Sequence, residues 1–275
     1  MAAISITGGQ LHYEIHGEGA ETIIFAHGML WDRRLFDAQV AALRDRYRCV
    51  CLDFRGQGFS TATASGYELY TQTNDVAALI RAVGGKPCHI VGHSMGGFVA
   101  LRLALRHPTL VKSLVLIGSS ADRPTVRDLR EARLLGFFTR WFGIRPIVRK
   151  VMDICLGDKT LGDPARAALR QEMRQRILSN DIGVLLRTLK AVCARDDLVH
   201  ELHRITVPTL VMVGSNDKDG QTTPAHAKRM HENISGSRFV VVPDGGHSLP
   251  IEEPAAVNQA LLDFFTTSFH TEASK

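Results

Sequence analysis

The stretch GHSMGG, residues 92–97, places one serine among three glycines directly after the short apolar run at residues 87–91. A helix-like pattern, FVALRLAL, follows at residues 98–105. Neighbours without side chains let the backbone turn sharply from a strand into a helix, which exposes the hydroxyl of Ser94. The same sequence is also compatible with a glycine-rich turn in which the serine only caps the following helix. The choice between a nucleophile and a cap depends on the rest of the chain.

Length and composition favour one large α/β unit. The chain has 275 residues, of which 45% are hydrophobic and 22% charged, a balance typical of globular proteins rather than disordered or membrane chains. A formal charge of +5 without a lysine-rich tail argues against nucleic-acid binding. The first ten residues do not resemble a secretory signal, and no apolar run could span a bilayer. We therefore expect a cytoplasmic protein without stable membrane insertion.

The cysteines do not form a recognisable framework. Their number is odd, and they are Cys49, Cys51, Cys88, Cys155 and Cys193. We interpret them as small, buried hydrophobic residues in a reducing compartment. A zinc site built on the first two and a histidine is conceivable, but no paired-cysteine or histidine spacing supports it. We expect neither a metal nor a cofactor.

Nearly continuous apolar runs predict strands that are buried on both faces of a mainly parallel sheet. They lie at residues 11–16, 22–26, 48–53, 87–91, 114–118, 209–214 and 239–242. Between residues 121 and 205 the pattern changes to arginine-rich helical segments without a strand signal. The sequence therefore predicts a core from residues 1–121 and 206–275, with residues 122–205 forming a helical lid over the sheet.

A serine nucleophile needs a base, usually a histidine that a carboxylate orients. His247 follows the last predicted strand, in the glycine-containing loop PDGGHS. The carboxylate should stand after the preceding strand, where Asp217 is the first candidate, Asp219 the second and Asp122 the third. Functional groups gather at the carboxyl ends of parallel strands, so we expect these side chains to meet Ser94.

Acyl transfer also needs backbone donors for the oxyanion that develops on the substrate. Met95 follows the serine, and Met29 follows His27 and Gly28 at the end of an early strand. Side-chain identity matters little for an amide donor. We therefore predict an oxyanion hole from the amides of Met29 and Met95, with their side chains forming apolar pocket wall.

Five motifs occur in the order typical of α/β-hydrolases, and the chain resembles that superfamily over nearly its whole length outside the insertion. They are HG (27–28), DFRGQGFS (53–60), GHSMGG (92–97), GSND (214–217) and GH (246–247). The resemblance implies the α/β-hydrolase fold, the triad Ser94, Asp217 and His247, the same oxyanion hole, and a lid formed by the insertion. Small bacterial carboxylesterases and 3-oxoadipate enol-lactonase-like hydrolases are the most similar members.

These motifs predict cleavage of a small carboxylic ester or lactone through an acyl-enzyme. The same groups could cleave carbon–carbon bonds or form peracids, and a slow-turnover ligand receptor could retain them. We expect His27, Phe138 and Trp141 to line the substrate pocket. The basic and aromatic insertion could instead lie on a membrane surface. The sequence is also compatible with a homodimer.

Overall fold

The computed structural model describes residues 2–269 and contains an eight-stranded sheet. The predicted core also includes residue 1 and residues 270–275, which lie outside the described residues. The strands are β1 (Ala2–Ile6), β2 (Gly9–His16), β3 (Thr22–Ala26), β4 (Arg48–Leu52), β5 (Cys88–His93), β6 (Val111–Ile117), β7 (Thr209–Gly214) and β8 (Arg238–Val242). Their order across the sheet is β1-β2-β4-β3-β5-β6-β7-β8. The pairs β1–β2 and β2–β4 are antiparallel and the other five are parallel, which confirms the predicted mainly parallel sheet.

Helices cover both faces of this sheet. Outside the insertion they are α1 (Asp37–Leu43), α2 (Leu69–Ala82), α3 (Met95–Arg106), α9 (Pro224–Asn233), α10 (Leu249–Glu252) and α11 (Pro254–Phe269). Apolar residues of α2, α3 and α9 pack with Ile24 and Ile90 on one face. Residues of α1 and α11 pack with Phe25 and Val91 on the other. Alternate residues of β3 and β5 thus enter two cores, which explains why apolar residues follow one another without interruption at 23–26 and 90–91.

The chain between β6 and β7 forms helices joined by turns and loops. It contains α4 (Val126–Phe142), α5 (Val148–Cys155), α6 (Asp158–Gly162), α7 (Ala167–Leu178) and α8 (Ile182–Cys193), with short 3-10 turns between some of them. Thr125 caps α4 in a reciprocal capping box with Asp128, and Asp181 caps α8. Met173, Ile177 and other buried residues of this segment join the core cluster that α1 and α11 form. The insertion is therefore packed onto the sheet unit.

Three further observations concern the sequence predictions. The five cysteines are free thiols, and all but the half-buried Cys193 are buried. Within residues 2–269, no group of three or more His, Cys, Asp or Glu side chains is arranged to hold a metal ion. No helix in the same range is both long and apolar enough to cross a membrane.

Candidate active site

Ser94 stands on a sharp turn between β5 and α3. Its backbone has φ 50° and ψ −116°. Residues other than glycine rarely adopt a positive φ. A Cβ atom on Gly92 would lie 2.5 Å from the Gly96 carbonyl oxygen, and one on Gly96 would lie 2.0 Å from that of Ala26. Ser94 makes no side-chain capping hydrogen bond to α3. The glycines thus permit a strained turn that presents the hydroxyl, and the helix-cap interpretation is wrong.

Hydrogen bonds fix the backbone of this turn. The amide of Ser94 donates to the Ile117 carbonyl at 2.9 Å, which joins the turn to the end of β6. The Ser119 hydroxyl donates to the Ser94 carbonyl at 3.1 Å. A strained backbone conformation such as that of Ser94 persists only where the surrounding structure stabilises it. Residues in such conformations occur often at active sites.

The structure brings Ser94, His247 and Asp217 into one hydrogen-bonded chain. The Ser94 Oγ lies 3.1 Å from Nε2 of His247, and Nδ1 of His247 lies 3.0 Å from Oδ2 of Asp217. Ser94 follows β5, and the loops after β7 and β8 carry the aspartate and the histidine. Three strands of the parallel part of the sheet, with β6 between β5 and β7, thus deliver the groups at their carboxyl ends. With Nδ1–H donating to Asp217, Nε2 is free to accept the serine proton. Thr222 donates its hydroxyl to Asp217 Oδ2 at 3.1 Å, a contact that the sequence did not indicate.

Charge around His247 favours its protonated form. Burial alone would lower the pKa of this imidazole, but the charge and hydrogen bond of Asp217, with the charges of Asp219 and Glu252, raise the pKa to about 9. Burial raises the pKa of Asp217 against the opposing effect of His247. The arrangement therefore stabilises an imidazolium, the species that forms when His247 takes a proton from Ser94.

The two other candidate carboxylates occupy different places. Oδ2 of Asp219 lies 3.7 Å from Nε2 of His247, on the side of the ring away from Asp217. The backbone of Asp219 also supports the first candidate, because its amide donates to Asp217 Oδ1 at 3.0 Å. Asp122 instead forms an ion pair with Arg229. The geometry thus places Asp217 at the orienting nitrogen and Asp219 beside the nitrogen that faces the serine.

The two predicted oxyanion donors, Met29 and Met95, belong to separate segments of the chain. Residues 28–31 form a turn in which the Trp31 amide donates to the Gly28 carbonyl at 3.3 Å and Leu30 has φ 75°. A Cβ on Gly28 would be 3.1 Å from the Ser94 Cβ, so this turn lies directly against the serine. Met95 is the first residue of α3, and the first amides of a helix have no intrahelical acceptor. The turn that carries Met29 therefore lies beside Ser94, and Met95 follows Ser94 directly in the chain.

Two buried histidines support these loops. His27 is fully buried; its Nδ1 donates to the Gly28 carbonyl at 2.7 Å, and its Nε2 accepts from the Phe54 amide at 3.0 Å. This placement corrects the prediction that His27 lines the pocket, because both ring nitrogens are used by the backbone. His93 donates from Nε2 to the His247 carbonyl at 2.7 Å. The sequence did not indicate this role, since the two histidines are 154 residues apart.

A cavity of about 160 Å³ opens at Ser94 and His247. The insertion supplies most of its apolar wall, including Leu135, Ile144, Ile147, Val151, Leu185 and Leu186. Asp128, Glu131, Lys218 and Asp219 form a polar side. Met29 is part of the wall, as predicted for its side chain, whereas Met95 is buried outside it. The cavity is therefore largely apolar with a charged edge.

Phe138 and Trp141 do not line this cavity. Their side chains are 39% and 66% exposed, whereas Ala132, Leu135 and Thr139 of the same helix face the cavity. Residues three and four positions apart share a helix face, and α4 carries two such apolar faces. The prediction assigned the aromatic face to the pocket, and the structure corrects it because the other face is turned inward.

Known proteins resemble this chain in sequence and in fold. The model of the alpha/beta hydrolase family matches residues 23–260. A relative from Variovorax paradoxus named carbamate hydrolase RutD is 29% identical, over 92% of this chain and 95% of its own. An esterase from Thermogutta terrifontis has a TM-score of 0.89 at 26% identity, covering 98% of this chain and 99% of its own. An enol-lactonase from Burkholderia xenovorans has a TM-score of 0.88 at 26% identity, covering 96% and 100%. The chain thus has the α/β-hydrolase fold and belongs to the alpha/beta hydrolase family.

Proposed function

We propose that this protein hydrolyses a small carboxylic ester or lactone through an acyl-enzyme on Ser94. The observation that carries the proposal is the continuous chain from Ser94 Oγ through His247 to Asp217, at 3.1 Å and 3.0 Å, opening on an apolar cavity. A neutral serine becomes a nucleophile when a positioned base accepts its proton. The named esterase and enol-lactonase similarities support the same chemistry.

The first half-reaction forms the acyl-enzyme. Oγ of Ser94 bonds to the substrate carbonyl carbon while Nε2 of His247 takes its proton, and Asp217 stabilises the resulting imidazolium. The amides of Met29 and Met95 donate to the oxyanion. Collapse of the tetrahedral intermediate breaks the bond to the leaving oxygen, which receives the proton from His247. In a lactone this alcohol stays attached to the acyl chain.

The second half-reaction releases the acid. Water bonds to the acyl carbon as His247 takes one of its protons, and the proton then passes to Ser94 Oγ as the acyl–oxygen bond breaks. The base and the oxyanion donors are the same in both halves. Both half-reactions balance with the substrate and one water molecule.

The cavity wall favours a small substrate with an apolar portion. The insertion contributes apolar side chains from α4, α5 and α8, the usual lining of a small-molecule site. Asp128, Glu131 and Asp219 outnumber Lys218 at the polar side, so a substrate with its own carboxylate is disfavoured there. We infer that residues 122–205 act as a lid that sets selectivity, while the loops of the sheet perform the chemistry.

Steady-state hydrolysis tests the proposal and separates its alternatives. Wild-type protein should turn over short p-nitrophenyl esters repeatedly, and a panel of acyl lengths and lactones should define the preferred substrate. Ser94→Ala should fold normally and lose about 10⁴-fold or more in turnover. A single slow covalent event would instead favour a ligand receptor. Activity only with hydrogen peroxide or with carbon–carbon substrates would favour those chemistries on the same triad.

The free thiols also bear on where the protein works. Unpaired, mostly buried cysteines suit a reducing compartment. We propose that the protein acts in the cytoplasm, and detection of the protein in separated cell fractions would test that location.

A further inference from the structure

Helix α4 exposes a continuous stripe of large apolar side chains. The aromatic stripe consists of Leu134, Phe137, Phe138, Trp141 and Phe142, which are 58%, 54%, 39%, 66% and 62% exposed. Their spacing of three and four residues aligns them on one face of the helix. Ring centroids of Phe137 lie 5.8 Å from Phe138 and 6.5 Å from Trp141. A contiguous exposed apolar surface of this kind marks an interaction site.

The stripe is separate from the substrate cavity. Ala132, Leu135 and Thr139 face the cavity from the neighbouring face of α4. None of the five stripe residues lines it. An occupant of the stripe therefore differs from the substrate at Ser94, and this surface lies beyond the proposed function.

Basic side chains are frequent on α4 and in the segment that follows it. Residues 126–153 contain seven basic and three acidic side chains. Six of the basic ones are exposed arginines, namely Arg127, Arg130, Arg133, Arg140, Arg145 and Arg149. Among residues 2–269, none of these six forms an ion pair with another described residue. The surface thus combines apolar contact area with unneutralised positive charge.

This charge distinguishes among partners. A second copy of the chain in a two-fold dimer would bring the same patch against itself, so arginines would face arginines. An anionic lipid surface instead pairs headgroup phosphates with arginines and admits aromatic rings at the interface. We propose that the aromatic stripe and its arginines dock this protein on anionic lipid bilayers, with α4 lying in the plane of the interface.

Docking would fix the orientation of the cavity relative to the bilayer. The face of α4 that carries Leu135 is adjacent to the stripe, so the apolar wall of the cavity would lie close to the bilayer surface. An ester that partitions into lipid would then meet the insertion before it reaches Ser94. Binding to the bilayer does not require catalysis, so it can be measured independently of ester hydrolysis.

Flotation with lipid vesicles tests the proposal. Vesicles of phosphatidylcholine alone are compared with vesicles containing about one part phosphatidylglycerol to three parts phosphatidylcholine. We expect wild-type protein to float with the anionic vesicles and far less with the neutral ones. Raising salt from about 0.1 M to about 0.5 M should weaken binding, because screening shortens the reach of the arginine charges.

Two pairs of variants separate the apolar and charged contributions. Phe137→Ser with Phe142→Ser should lower the partition coefficient at least about tenfold. Arg133→Gln with Arg140→Gln should lower it several-fold and reduce its salt dependence. Phe59→Ser and Arg46→Gln are the matched controls, since both residues are exposed, Arg46 forms no ion pair with another described residue, and neither belongs to α4. Both controls should bind like wild type.

The variants must remain folded for these comparisons, and turnover of a water-soluble ester should stay within about twofold of wild type. Failure of folded wild-type protein to float with anionic vesicles would overturn the proposal. So would unchanged flotation of the Phe137 and Phe142 variant. A wild-type dimer in sedimentation that this variant dissociates would also overturn it, and would assign the stripe to a second copy of the chain.

Discussion

Replacing Asp219 by asparagine should move the pH dependence of hydrolysis. Asp219 Oδ2 is 3.7 Å from His247 Nε2, and its side chain is 24% exposed. Opposite unit charges at this separation interact by about 4 kcal/mol at an effective dielectric of 20. Screening by water at the cavity edge reduces this to about 2 kcal/mol. Since one pKa unit corresponds to about 1.4 kcal/mol, the pKa of His247 should fall by about 1 to 2 units.

The direction follows from the form of His247 that acts as a base. Asp217, Asp219 and Glu252 raise the pKa of His247 to about 9, whereas His93 is buried with a pKa well below its ordinary value and contributes no charge. Only the neutral imidazole accepts the serine proton, so wild-type kcat/KM should rise with pH as His247 deprotonates. Removing one negative charge should shift that rising limb to lower pH.

The assay measures kcat/KM for hydrolysis of a neutral p-nitrophenyl ester between about pH 6 and about pH 10 at constant ionic strength. Asp45→Asn is the control for the change in net charge, because Asp45 is exposed in the turn before β4. It should leave the limb in place. If Asp219→Asn also leaves the limb in place, or moves it to higher pH, the electrostatic account of Asp219 is wrong.

Three further changes test other parts of the site. Asp217→Asn should reduce turnover by about 10⁴-fold because the imidazole is left in the wrong tautomer, and kinetics beside Asp219→Asn will show which carboxylate orients the base. Gly96→Ala should lower the free energy of unfolding, measured by urea titration, by about 1–3 kcal/mol. The reason is that the new Cβ would lie 2.0 Å from the Ala26 carbonyl oxygen. Gly162→Ala is the control, because a Cβ at Gly162 would have no atom within 4 Å. Leu135→Ala should change the ranking of acyl chain lengths while Trp141→Ala should not, and the opposite result in ester-panel kinetics would contradict the cavity assignment.

The buried strands could be predicted because burial on both faces leaves a continuous apolar run. Residues 22–26 and 209–214 were predicted as strands and form β3 and β7 with the same bounds. The edge strand β1 was not predicted, because its AAISI sequence is short and its residues are exposed or half-buried. Its existence depends on pairing with β2, a tertiary contact that local sequence does not express.

The site was predictable where a motif fixes backbone geometry. GHSMGG identified the turn at Ser94, and position after a strand brought His247 and Asp217 to it. His93 was not identified, because its partner is a backbone carbonyl far along the chain. The pocket residues of α4 were misassigned since periodicity defines helix faces without saying which one is turned inward.

Intact-mass measurement after treatment with a fluorophosphonate tests the central claim most directly. The structure places the Ser94 hydroxyl 3.1 Å from the base, inside the cavity. Wild-type protein should gain one phosphonyl adduct, peptide mapping should place it on Ser94, and loss of esterase activity should follow the same time course. Ser94→Ala should gain none. An adduct that persists on Ser94→Ala, or full activity in labelled wild-type protein, would contradict the assignment of Ser94 as the nucleophile.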